Sequence, residues 1–331
     1  MSQPYRILIL FFILLSSFGL KAQDLVFSQF YNAPLLLNPA FTGVTQYPTF
    51  TLNYRNQWPS FNNAYISYAG SYNQYFAKTR SGLGMQITSD VEADGILINN
   101  SVGLYYSYTL EFANDNYLKI GLSGTMGQSR VDWSRLVFGD QLSQTSGHDP
   151  TVNSSEIQPG NLSVRYFDIS SGFLFYNKSF YVGLGLFHLN NPSVGFGLNG
   201  PNDIGIPLRI SAHAGYQVDL WDTKSKFPSF IQPTVLVTSQ AQFTQVNVGV
   251  GAQFGRVLGG VFYRHTINNP DAAILYMGYK LDIVELTYSY DVTVSQLGPA
   301  SGGSHELGVV FDLEVVLPPK SKLNDCLKLF R

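Results

Sequence analysis

Read two residues at a time, the chain separates into faces. From Asn100 to Phe112 one face carries Asn100, Val102, Leu104, Tyr106, Tyr108, Leu110 and Phe112, and the other Ser101, Gly103, Tyr105, Ser107, Thr109 and Glu111. From Leu208 to Leu220 the apolar face is Leu208, Ile210, Ala212, Ala214, Tyr216, Val218 and Leu220; its opposite is Arg209, Ser211, His213, Gly215, Gln217 and Asp219. Period two is the period of a β-strand. These runs exceed the ~5–6 residues of an average globular strand. They suffice for the ~9–11 residues that cross a bilayer at a tilt. The pattern predicts strands near 48–57, 62–76, 81–89, 97–112, 117–128, 165–177, 179–190, 207–220, 229–239, 242–255, 256–266, 271–281, 282–292 and 304–316. The expected fold is all-β: a transmembrane antiparallel β-barrel of about fourteen strands.

Loop length tests this independently. The long connections are the fifth (129–164), the seventh (191–206) and the thirteenth (293–303), all odd-numbered, while the second, fourth, sixth, tenth and twelfth are short and the eighth, Trp221 to Pro228, is moderate. Long extracellular loops and short periplasmic turns sort in this way in an outer-membrane barrel. A β-sandwich has no reason to do so. The fifth loop, with Asp140, His148, Asp149 and Glu156 among Ser, Thr, Gly and Pro, reads as a solvated surface loop.

Composition narrows the class. Charged residues are 13% of the chain and aromatic residues 15%, against ~25% charged in an average soluble domain. Mean hydropathy is only +0.02, so the apolar content is spread over half-faces, as expected of a barrel with a lipid-facing exterior and a polar interior. The formal net charge of −2 with no basic stripe points away from nucleic acid. One cysteine, Cys326, allows no internal disulfide. At the N-terminus Arg6, the apolar stretch Ile7–Leu20 and Lys21-Ala22-Gln23 have the form of a signal peptide cleaved after Ala22. The organisation expected is a signal peptide over 1–22, a periplasmic segment over 23–47, the barrel over 48–316 and a periplasmic tail over 317–331.

Strand parity turns Arg55, Lys119, Asp168, Arg209, Arg264, Glu285, Asp291, Glu306, Asp312 and Glu314 inward. A lipid-facing Arg or Lys at mid-bilayer would cost roughly 2–4 kcal/mol. Arg209 and Arg264 are expected opposite Glu285 and Glu306, as a charge network that braces the barrel, with a selectivity filter or a plug-binding site as the alternative. Tyr54, Tyr68, Tyr72 and Phe112 are expected in an aromatic girdle. Catalytic motifs are weak. Ser304-His305-Glu306 lies on a strand, where neighbours face opposite sides. Gly249-Val250-Gly251 lies inside a strand rather than at a strand-to-helix turn, and the five histidines show no metal spacing. No catalytic, cofactor or metal site is expected.

Several strings resemble one family. They are Gln29-Phe30-Tyr31-Asn32-Ala33-Pro34, Leu37-Asn38-Pro39-Ala40-Phe41-Thr42-Gly43, Asn53-Tyr54-Arg55-Asn56-Gln57-Trp58, Gly82-Leu83-Gly84, Asp94-Gly95, Tyr288-Ser289-Tyr290-Asp291, Ser295, and Ser304-His305-Glu306. Together they resemble the PorP/SprF family of type IX secretion system membrane proteins from Bacteroidota. The resemblance implies an integral outer-membrane protein, surrounded by lipid, that works with other type IX components. The SprF-like branch, the one favoured, further implies, as partner, a large secreted adhesin with a C-terminal sorting domain, used in gliding motility; the PorP-like branch implies work with the periplasmic part of the machine and its peptidoglycan anchoring. The alternative is an outer-membrane diffusion channel or small-solute transporter. By the same reading Asn38-Pro39-Ala40-Phe41 lies at the periplasmic rim, as a lid or as a lead into the first strand.

Overall fold

The computed structural model describes residues 24–313, apart from 46, 63, 144–146, 150, 197–204, 222–224, 268 and 296–297, and residues 326–330. Fourteen long strands close into one antiparallel barrel. They are β1 (Thr49–Gln57), β2 (Tyr65–Phe76), β3 (Ser81–Glu92), β4 (Leu97–Phe112), β5 (Asn116–Val131), β6 (Ser163–Tyr176), β7 (Phe180–Phe187), β8 (Arg209–Tyr216, extended by Val218–Asp219), β9 (Phe230–Gln240), β10 (Phe243–Phe254), β11 (Val257–Thr266), β12 (Asn269–Lys280), β13 (Val284–Thr293) and β14 (Ser304–Asp312). Each pairs with its sequence neighbours, and β1 pairs with β14 from Thr49↔Asp312 to Gln57↔Ser304, so no edge is left open. The two-residue pair Leu142–Ser143 and Gly147–His148 is a separate hairpin within the fifth loop. The long loops mark the extracellular end and the short turns the periplasmic end.

The alternation of the sequence is the alternation of the wall. Leu104, Met126 and Met277 are 66%, 69% and 62% exposed on the outer surface, the environment that lipid fills. Phe50 lies 4.7 Å from Tyr72 near the periplasmic end, and Tyr54 lies 5.3 Å from Tyr68 near the extracellular end. These pairs sit where aromatic belts meet the two interfaces. Arg55, Lys119, Asp168, Arg209, Arg264, Glu285, Asp291, Glu306 and Asp312 are all buried on the inner face; Glu314, the leader and most of the tail lie outside the described residues.

The lumen is filled, and this corrects the expectation of a periplasmic segment. The stretch from Asp24 to Thr45 runs down the inside of the barrel and is buried along most of its length. Its contacts descend in order. Asp24 meets Gln240, His188 and Arg209 at the extracellular ends of β9, β7 and β8. Ser28 and Gln29 meet β13 and β14. Asn38 meets Phe173 and His213, and Gly43 meets Asn73 and Lys119 low in the barrel. The reason lies in the wall. Its inner face carries Leu174, Tyr176, Tyr181, Phe230, Leu236, Leu258, Phe262, Ile274 and Tyr276, which form one apolar core with Phe30, Tyr31, Leu37, Phe41 and Val44 of the segment. Such side chains gain roughly 1.5–3 kcal/mol each by leaving water. The tail is corrected likewise: Cys326, Leu327, Leu329 and Phe330 are buried in the same core rather than free in the periplasm.

Candidate functional site

Besides the contacts of Asp24 at its start, two anchorages hold the segment, and residues of the family-like strings take part in both. The upper one is ionic. Arg55 of β1 stands opposite Glu306 of β14 and pairs with it directly. Arg55 also lies 3.3 Å from Asp291, and Arg264 lies 3.0 Å from Asp291. Ser28 sits at the centre. Its N–H donates to Glu306 Oε1 (2.7 Å), its hydroxyl donates to Asp291 Oδ2 (2.6 Å), and it accepts from Arg55 (2.7 Å) and Arg264 (2.8 Å). The Gln29 N–H donates to the second Glu306 oxygen (2.8 Å). Gln57 accepts from Arg55, and Ser304 completes its guanidinium contacts at 3.4 Å. A shift of register at Arg264/His265 leaves Asp271 outside the pairing, and Arg264 Nε bonds that carboxylate. A bulge re-aims a side chain in this way. Buried charges survive here because each is paired and hydrogen-bonded.

The lower anchorage is steric. Pro34–Leu37 forms one helical turn, and Pro39–Phe41 a 3-10 turn with proline at its first position. Asn38 caps the second turn: its Oδ1 accepts from the Ala40 N–H (2.8 Å), while its Nδ2 donates to Phe173 O (2.9 Å) and lies 3.1 Å from His213 Nε2. The turn lies in a seat of small residues. A Cβ at Gly172 would meet Asn38 Oδ1 at 1.9 Å, at Gly121 Ala40 N at 2.3 Å, at Gly82 Thr42 O at 2.4 Å, and at Gly185 Leu37 O at 2.7 Å. Gly43, at φ +63°, presses against Gly82 in turn. Phe41 stacks on His213 at 5.1 Å and on Phe330 at 4.4 Å.

The expected four-member charge network is corrected by position. Arg264 and Glu306 do share the upper cluster, but with Arg55 and Asp291 between them. Arg209 lies on β8, remote along the sheet from β13 and β14, and pairs with Asp24 at 3.3 Å. Glu285 lies at the opposite end of β13 from Asp291 and pairs with its cross-strand partner Lys280 at 3.4 Å. The outward residues of the strings form a separate group: Tyr288 Oη lies 2.8 Å from His305 Nδ1, and the Tyr290 ring 4.9 Å from the His305 ring. His305 thus faces away from Ser304 and Glu306. Trp58, at φ +57°, donates its N–H to Gly303 O (2.8 Å) and sets its ring edge-on to Tyr65.

One cluster had no counterpart in the sequence reading. Just beyond β7, His188 lies 2.6 Å from Asp24 and 3.1 Å from Asp168. Burial opposes its charge, but the hydrogen bonds to Asp168 and Asp24, and their charges, raise His188 to about 9. Burial likewise opposes the charge of Asp24, but Arg209, His188 and Gln240 hold it well below the usual carboxylate range. The filling of the lumen, by contrast, had a signal in the sequence: apolar residues on a luminal face, such as Leu174, Leu258 and Ile274, imply something apolar inside.

A closed fourteen-strand barrel with an apolar belt, sequestered charges and a filled lumen is an integral outer-membrane protein. The chain belongs to the family of type IX secretion system membrane proteins PorP/SprF, whose model matches residues 19–311. Among solved structures the KdgM porin aligns over 80% of this chain and 98% of its own, with 8% identity and a TM-score of 0.40. CdiB from Acinetobacter baumannii aligns over 81% of this chain and 60% of its own, with 8% identity and a TM-score of 0.43. BamA from Haemophilus ducreyi lacking POTRA domains 1-3 aligns over 80% and 70%, with 10% identity and a TM-score of 0.38. No curated protein sequence matches the chain.

Proposed function

We propose that the protein is a non-enzymatic partner barrel of the type IX secretion system, of the SprF-like kind. It assists the export or surface attachment of a large adhesin that carries a C-terminal sorting domain and serves gliding motility. It meets other components of the machine at its loops and rims. The observation that supports this reading is the filled lumen. A segment anchored to the wall at Ser28 and at Asn38 and packed in an apolar core leaves the barrel its surfaces, rather than a conduit, with which to act. The alternative, a diffusion channel, needs an open path and is disfavoured for the same reason.

Deletion of the gene tests the reading. Loss of the adhesin from the cell surface and loss of spreading, both restored by the wild-type gene, are the expected results. Normal adhesin display and movement in the deletion strain would overturn it. Purified protein in planar bilayers is expected to give no stable large currents; sustained ohmic conductance would favour the channel.

A further inference from the structure

The periplasmic end of the lumen holds a short peptide, and the chain itself supplies it. Residues 326–330 lie against the turn after β6, the first residues of β7, and the periplasmic ends of β9 and β10. The contacts divide by chemistry. The Cys326 N–H donates to Asn177 O (3.0 Å), and the fully buried Gln232 donates its Nε2–H to Cys326 O (3.2 Å). Both read peptide backbone rather than the cysteine side chain. The apolar side chains fill shaped places. Leu329 Cδ2 lies 2.9 Å from where a Cβ on Gly251 would stand. Phe330 stacks on Phe41 at 4.4 Å and meets Tyr181 edge-on at 5.4 Å.

Two further observations bear on how the peptide is held. It belongs to no strand of the barrel, whose ladder closes without it. The luminal segment above it has its own anchors at Asn38, Gly43 and Ser28, which do not involve the tail. The tail can therefore leave without unpairing a strand, at the loss of the Phe41–Phe330 stack but with Asn38, Gly43 and Ser28 still holding the segment. Its departure would bare Gly251, Tyr181, Phe41 and the Gln232 amide to the periplasm.

We propose that the periplasmic mouth is a peptide-binding site whose resident ligand is the chain's own C-terminal end, held as a reversible latch. The ligand it takes is a short apolar peptide with two leucines one residue apart followed by an aromatic residue. A periplasmic peptide of that pattern gains the site by displacing the latch.

Cys326 is the single cysteine of the chain and so reports the latch directly. Full-length protein in detergent is treated with a maleimide, with heat-modifiable gel migration as the check that the barrel is folded. Labelling tracks opening of the buried segment, so it is expected on the order of tenfold or more slower than in unfolded protein. Leu329→Asp in the tail, and separately Gly251→Leu in the wall, are expected to raise the rate about tenfold with the barrel still folded. A synthetic peptide of residues 326–331, with serine in place of Cys326, is expected to raise the wild-type rate saturably, as mass action requires. The same peptide with aspartate at both leucines is expected to do nothing. Three results would each overturn the proposal: rapid labelling of the folded wild type, protection of Cys326 that survives Leu329→Asp, or a rate indifferent to the leucine peptide while Leu329→Asp accelerates it.

Discussion

Glu306 shows how much can rest on one inward residue. Its two oxygens take the Ser28 and Gln29 N–H groups and the Arg55 guanidinium. Removing one member of a buried pair strands the other, at a cost of about 3–5 kcal/mol. Glu306→Ala is therefore expected to lower the midpoint of thermal unfolding in detergent markedly. Adding Arg55→Ala is expected to recover part of the loss, because the two costs overlap. His188 adds a pH dependence of definite sign. Its folded value of about 9 lies above the ordinary ~6.5. Its stabilisation is thus complete below about 6.5 and lost as pH rises through about 9. Asp24, held low, contributes above the ordinary carboxylate value and loses its contribution only as pH falls below it. Unfolding midpoints measured from pH 6 to about 10 should fall in the wild type and run flatter in His188→Gln.

At the scale of elements, the strands were legible, whereas the filling was signalled only by apolar residues on a luminal face and its path was not. Period two located all fourteen, because a wall with lipid on one side and protein on the other admits no other repeat. The Asp24–Thr45 segment has no such repeat. It is a string of turns, shaped by partners that come from five or more strands far away in the chain. Its string Asn38-Pro39-Ala40-Phe41-Thr42-Gly43 and the string Gly82-Leu83-Gly84 are separate in sequence yet interlock in space, since Gly82 makes room for Thr42. Parity correctly turned Arg209 and Glu285 inward. It could not say at what height or azimuth, and so could not name their partners. The seat makes its own prediction. Gly121→Val places side-chain atoms on the Ala40 backbone, and overpacking of this kind costs about 1–3 kcal/mol or more. Gly160→Ala, with nothing within 4 Å of its added carbon, should leave the unfolding midpoint unchanged.

For the whole molecule, the consequence of an apolar lumen is that an emptied barrel is not a pore but an unfinished fold. Deleting residues 24–44 would put Leu258, Phe262, Ile274 and Tyr276 in contact with water and leave Arg55 and Arg264 without Ser28. The expected outcome is loss of the heat-modifiable folded species, with no new conductance; a stable, conducting barrel would contradict this account. The meeting of β1 with β14 carries this further. The first and last strands join through Arg55 and Glu306, and Glu306 clasps the segment that precedes them both. That segment precedes every strand in the sequence, and the carboxylate that pairs the last strand with the first also accepts its backbone N–H groups. The carboxylate that seals the cylinder is thus also the one that stoppers it.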